Sequence, residues 1–145
     1  ESIRITEPEG NSYLIDGVDL QFGTQNYPEK DIEINMAIDN GIENLYVKVD
    51  TDNSTFEFAA SVMGLTEGNG LDLTSDAAKE LGGLFKLPEK GDTSYQFTLN
   101  TTLLDLLMNN PGYIGVHKFN LTAIDQNGQQ ATATLVIQVK ETANN

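Results

Sequence analysis

The sequence predicts an all-β fold, an antiparallel sandwich of about seven strands with short helical insertions. Three observations lead there. Apolar and polar residues alternate in segment after segment, turn residues punctuate those segments at short intervals, and one stretch, about 54–88, switches to helical spacing. With 145 residues, 39% hydrophobic and 21% charged, the chain has enough apolar material to close a core without disulfides, and a single domain over 1–145 is expected.

Ile3-Arg4-Ile5-Thr6 reads as a first short strand. Val18, Leu20 and Phe22 line one face of the next, followed by Ile32, Ile34, Met36 and Ile38, then Leu45, Val47 and Val49, and later Tyr95, Phe97 and Leu99. Residues two apart share a face of a strand, so each set marks a half-buried one. The last two strands are the clearest: Phe119, Leu121 and Ala123, then Ala131, Ala133, Leu135, Ile137 and Val139. The apolar positions on both must face the same way, which sets Ala123 opposite Ala131. Gln126, Asn127 and Gly128 then form a three-residue loop whose last member is left-handed, a conformation glycine adopts without a Cβ penalty.

Between about 54 and 88 the period lengthens. Ser54 with Glu57 reads as a capping box ahead of Phe56, Ala59, Ala60 and Met63, and Gly64 ends that helix. Thr74 or Ser75 starts a second turn through Ala77, Ala78 and Leu81, stopped at Gly82-Gly83. A further helix runs from Thr102 to Met108, with Asp105 as capping partner and Pro111 beyond its end. These helices are expected to cover sheet edges or the open end of the sandwich. Short strands separated by Asn-Gly, Pro-Gly and acidic turns are the pattern of an immunoglobulin-like sandwich.

The net charge of −14 repels phosphate backbones and anionic lipid, so nucleic acid is excluded as a partner. The absence of cysteine removes disulfides, thiolate metal sites and cysteine nucleophiles together. No apolar run reaches the roughly 20 residues of a transmembrane helix, and Glu1-Ser2-Ile3 lacks the basic and apolar regions of a signal peptide. His117 is the lone histidine and falls in the inward parity of its strand, level with Phe119, which reads as a half-buried strand-end residue. No Gly-x-Ser-x-Gly elbow accompanies it, and no catalytic residue is assigned.

No metal or cofactor is expected. An EF-hand reading from Asp50 puts Thr55 at the required glycine and Ser61 at the required glutamate, and Asp39 and Asp125 read as turn residues accepting backbone bonds. The candidate ligand-binding residues are Tyr113, beside Pro111-Gly112, and Tyr27, beside Pro28, because exposed rings stack on sugars or anchor interfaces. Tyr46 and Tyr95 lie on strands as packing residues. Asn53-Ser54-Thr55, Asn100-Thr101-Thr102 and Asn120-Leu121-Thr122 match the glycosylation sequon.

The run from His117 to Gly128, followed by Ala131-Thr132-Ala133-Thr134-Leu135, resembles the closing hairpin of bacterial cadherin-like and immunoglobulin-like surface modules, as does Gly41-Ile42-Glu43-Asn44-Leu45-Tyr46-Val47-Lys48-Val49. Combined with the helical insertion and Tyr95-Gln96-Phe97-Thr98-Leu99, these segments look like the N-terminal domains of Bacteroidetes surface lipoproteins, some of which precede carbohydrate-metabolism domains. The resemblance implies export to the outer surface or periplasm and a lipidated cysteine upstream of Glu1. It also implies a non-catalytic interaction or spacer role supporting glycan capture or adhesion, with a neighbouring domain, a cell-surface protein or a glycan as partner. The rival expectation is a carbohydrate-binding module using an exposed tyrosine and loop acids.

Overall fold

The computed structural model describes residues 1–24 and 31–141. The strands are β1 (Ile3–Thr6), β2 (Val18–Gln21), β3 (Ile32–Ile38), β4 (Ile42–Thr51), β5 (Leu71–Asp72), β6 (Ser94–Leu99), β7 (Gly115–Asp125) and β8 (Gln130–Lys140). They form a three-stranded sheet, β1-β3-β6, and a five-stranded sheet, β2-β8-β7-β4-β5. This is the immunoglobulin arrangement, with β1, β3 and β6 as strands A, B and E facing strands G, F and C. The buried tryptophan and inter-sheet disulfide of antibody domains have no counterpart, and aliphatic side chains hold the sheets together. Ile34, Ile38, Leu45, Val47, Phe97, Leu121, Leu135 and Ile137 are fully shielded from water between the two inner faces.

The closing hairpin has the expected register: Ala123 faces Ala131, and Gly128 has φ +82° with open space where a Cβ would stand. One pairing departs from a purely antiparallel sandwich, since β2 runs parallel to β8, with Val18 beside Ile137 and Leu20 beside Val139. No hairpin joins these two strands, so alternation shows that β2 exists without giving its direction. A four-residue helix, α1 (Tyr13–Asp16), precedes it.

The helical stretch contains α2 (Ser54–Val62) and a 3₁₀ turn, Asp76–Leu81, and a further helix, α3 (Thr101–Asn109), follows β6. Their caps lie upstream of the expected ones. Asn53 caps α2 by accepting from the Phe56 amide at 2.8 Å, and Asn100 caps α3 by accepting from the Leu103 amide at 3.2 Å. Asparagine caps as well as serine, and the Asn53 amide also donates to the Ile114 carbonyl at 2.9 Å, a tie that Ser54 has no second group to make. The sequon residues Asn53 and Asn100 are thus helix caps. Ser75 precedes the 3₁₀ turn, but its hydroxyl donates to the Asp72 carbonyl and does not cap. Within the expected helical stretch the structure also places a strand, β5. Together with the Val49 amide bonded to the Leu65 carbonyl at 2.8 Å, β5 lines the edge of β4 and leaves less of it for another chain to pair with.

Candidate functional site

The end of the sandwich where β4 stops and β7 begins gathers polar and aromatic groups from four elements. His117 stands on β7 opposite Thr51 of β4 and Ile137 of β8. It is fully buried, not half-buried as expected, because α2 and the 3₁₀ turn Pro111–Tyr113 close over the strand end. Its Nε2 lies 2.6 Å from the Tyr113 carbonyl oxygen, which can only accept, so Nε2 carries the hydrogen. Nδ1 therefore accepts from the Thr51 hydroxyl at 2.7 Å, and Thr51 Oγ1 in turn accepts from the Asn53 amide at 3.1 Å. The Phe56 ring centre sits 4.2 Å from the imidazole and 5.1 Å from the edge-on Tyr113 ring. Burial pushes the imidazole pKa below its ordinary value, with the Tyr113 carbonyl and Asp52 pulling the other way.

A hydroxyl bonded to an imidazole is also the geometry of a base-activated nucleophile. Two facts give this pair to the fold. The ring is sealed from solvent and its second nitrogen bonds a backbone carbonyl, with no carboxylate orienting it; and one lone pair of the Thr51 oxygen already holds the α2 entry. Beside it, Asp50, Thr51, Asp52, Val116 and Lys118 line an open concavity of about 380 Å³.

Two carboxylates do comparable work elsewhere. Asp125, nearly inaccessible at 1% exposure, accepts from the Asn127 and Gln129 amides at 2.9 Å each and from the Asn40 side chain at 3.2 Å. It closes the 126–128 loop as a turn acceptor, as expected, whereas Asp39 is exposed and forms a two-pronged pair with Arg4 at 3.0 Å. Asp72 receives Asn44, the Leu45 amide and both the amide and hydroxyl of Thr74. Desolvation pushes both Asp125 and Asp72 up, but the bonds they accept outweigh it and hold both carboxyls below the usual range. A depressed folded pKa contributes stability that is present above about pH 4 and lost as pH falls through the folded value. Asp125→Ala is therefore expected to lower the denaturation midpoint at pH 7 well below that of Gln126→Ala, and the gap from the parent chain should shrink below about pH 4. Chemical denaturation across pH 2.5–7 measures both.

Tyr113 is half-buried in its 3₁₀ turn, with its ring against Phe56 and its carbonyl on His117, so it is not the freely exposed ring expected. Tyr27 lies outside the described residues. Tyr95 is buried and donates its hydroxyl to the Lys86 carbonyl. Among the described residues the exposed large apolar side chains are elsewhere: Phe58 and Val62 on α2, each 73% exposed, with Ile15 on α1 and Leu106 on α3. Phe58 and Val62 are four residues apart and share the outer stripe of α2, while Phe56 and Ala60 fill its inner one. The signal was present in the sequence, since a helix apolar on more than one face needs a second surface to cover it.

Among the described residues, no helix is long and apolar enough to cross a membrane. No family model and no curated protein matches the chain. A solved structure of murine CRIg is similar at 12% sequence identity and a TM-score of 0.39, over 99% of this chain and 100% of that one. The immunoglobulin-like assignment rests on the strand order and register alone.

Proposed function

We propose that the chain is a non-catalytic interaction or spacer domain of an exported bacterial surface protein, of the kind that precedes carbohydrate-metabolism domains in Bacteroidetes surface lipoproteins. Its outer stripe on α2 packs against a neighbouring domain. The observation that carries this reading is the Phe58–Val62 pair, an apolar patch held out on a capped helix. The burial of His117 and the use of Tyr113 for packing support it against histidine-assisted hydrolysis and against sugar stacking by Tyr113.

A glycan array separates this reading from a carbohydrate-binding module. The expected result is no bound glycan with the parent chain and with Tyr113→Ala; a saturable signal weakened by Tyr113→Ala would establish the module instead. The companion measurement is the double variant Phe58→Asp, Val62→Asp. It should fold with its melting curve little changed, because both side chains are exposed, and should bind less of an environment-sensitive apolar dye.

A further inference from the structure

We propose that Asn127 is a site of spontaneous covalent modification. Of the chain's three Asn-Gly pairs, the fold leaves Asn127-Gly128 free to close to a succinimide and reopen as aspartate or β-aspartate, and it holds back Asn40-Gly41 and Asn69-Gly70. The inference is independent of what α2 packs against.

Ring closure asks three things of such a pair. The carboxamide must turn onto the following nitrogen, that nitrogen must be reachable and give its proton to hydroxide, and the peptide unit between the two residues must rotate. The nitrogen then bonds to the asparagine Cγ as the Cγ–Nδ2 bond breaks, and the departing nitrogen takes a proton from water and leaves as ammonia. Water adds to either carbonyl of the ring, which opens to an ordinary or a β-linked aspartate.

Turn geometry does not rank the three pairs. Each glycine has positive φ and returns its amide to the carbonyl three residues back: Gly41 to Ile38 at 3.0 Å, Gly70 to Glu67 at 2.8 Å and Gly128 to Asp125 at 3.0 Å. Their surroundings do rank them. The Asn40 carboxamide is occupied, donating to Asp125 Oδ2 at 3.2 Å, and Gly41 is buried with its carbonyl accepting from the Gln126 amide at 3.0 Å. Asn69 is exposed, but Gly70 lies against the Val47 and Lys48 backbone of β4, so the 69–70 peptide unit turns only if the loop before β5 lifts off. Asn127 and Gly128 are both exposed, and nothing stands within 4 Å of where a Gly128 Cβ would be. Among the described residues no hydrogen bond holds the Asn127 carboxamide, and breaking the one bond from Gly128 to Asp125 frees the peptide unit to turn.

The product acts on the residue beneath the loop. A β-linkage adds one backbone atom to three residues whose ends are fixed by the Asp125 amide on the Gln129 carbonyl at 2.9 Å. Asp125 Oδ1 holds the Asn127 and Gln129 amides together, and the extra atom falls between those two donors. The charge gained lies in a loop that a buried carboxylate already closes.

Trypsin, cutting after Lys30, Lys48, Lys79, Lys118 and Lys140, puts the three pairs into separate peptides, 31–48, 49–79 and 119–140. The parent chain is held at pH 8.5 and 37 °C, folded and in guanidinium chloride, and each peptide is followed by mass spectrometry for the gain of about 1 Da that marks loss of ammonia and uptake of water. Unfolded, the three should convert at similar rates. Folded, 119–140 should convert at least about fivefold faster than either of the others, and the gain should vanish in Asn127→Ala. A folded chain in which 31–48 or 49–79 leads or keeps pace, in which 119–140 stays unchanged, or in which the gain survives Asn127→Ala would overturn the assignment. The β-aspartate form, separated by anion exchange and identified by isoaspartyl methyltransferase, should unfold at a lower urea midpoint than Asn127→Asp, which carries the charge without the added atom. Equal midpoints would overturn the effect on the Asp125 loop.

Discussion

Gly70→Ala is expected to destabilise the chain by about 3–5 kcal/mol, several times the roughly 1 kcal/mol expected of Gly128→Ala. Both glycines have positive φ, +93° at Gly70 and +82° at Gly128, so left-handed strain is common to the two. They differ in what a Cβ would meet. At Gly128 nothing lies within 4 Å, whereas at Gly70 the new atom would stand 2.6 Å from the Val47 carbonyl carbon and 2.7 Å from Lys48 Cα, and closer still to the Val47 carbonyl oxygen. All three belong to the backbone of β4, which is pinned on its far side by β7. The loop before β5 can make room only by peeling away. That loses the pairs of Leu71 with Val47 and Asp72 with Tyr46, along with the Asp72 bonds to Asn44 and Leu45. Urea midpoints for the two variants give the comparison, and equal losses would mean that β5 does not dock on β4.

The same contrast shows what alternation and turn chemistry could tell in advance. Gly128 was legible because two amphipathic strands with a shared inward parity leave one loop length and one left-handed position between them. Gly70 was not, since β5 is two residues long, too short to show a period, and its crowding depends on a strand more than twenty positions earlier. The inward parity of His117 could be read from its neighbours on β7, but its complete burial could not, because the cover comes from Pro111–Tyr113 and α2. Asn53-Ser54 and Asn100-Thr101-Thr102 each offer more than one side chain able to cap, so the capping-box spacing alone does not fix where the helix starts. What distinguishes them is a tertiary bond such as Asn53 to Ile114. The outer stripe of α2 was visible as excess apolarity at 58 and 62, yet only the packing of Phe56 and Ala60 shows which side remains uncovered.

Phe97→Ala is expected to cost about 3–5 kcal/mol, and Phe85→Ala a comparable but smaller amount, with a coupling between the two of about 0.5–1.5 kcal/mol. Phe97 is wholly buried on β6 opposite Ile34 of β3, and its ring stacks on Phe85 with centres 5.6 Å apart and planes 24° from parallel. Phe85 lies just beyond the 3₁₀ turn Asp76–Leu81, its amide on the Leu81 carbonyl at 3.1 Å. The stack therefore joins the end of the helical stretch to the three-stranded sheet, and the Tyr95 hydroxyl on the Lys86 carbonyl adds a second tie one residue along. Truncating Phe97 leaves a cavity between the sheets and a Phe85 ring with no aromatic face to meet; truncating Phe85 leaves β6 and β3 paired and removes only the outer half of the stack. A double-mutant cycle in urea isolates the stacking contribution, since the two single changes share that contact. A coupling in the expected range means that residues 76–88 unfold with the sandwich as one cooperative unit. A coupling near zero, with a second, shallower transition, would make that stretch a separately melting flap.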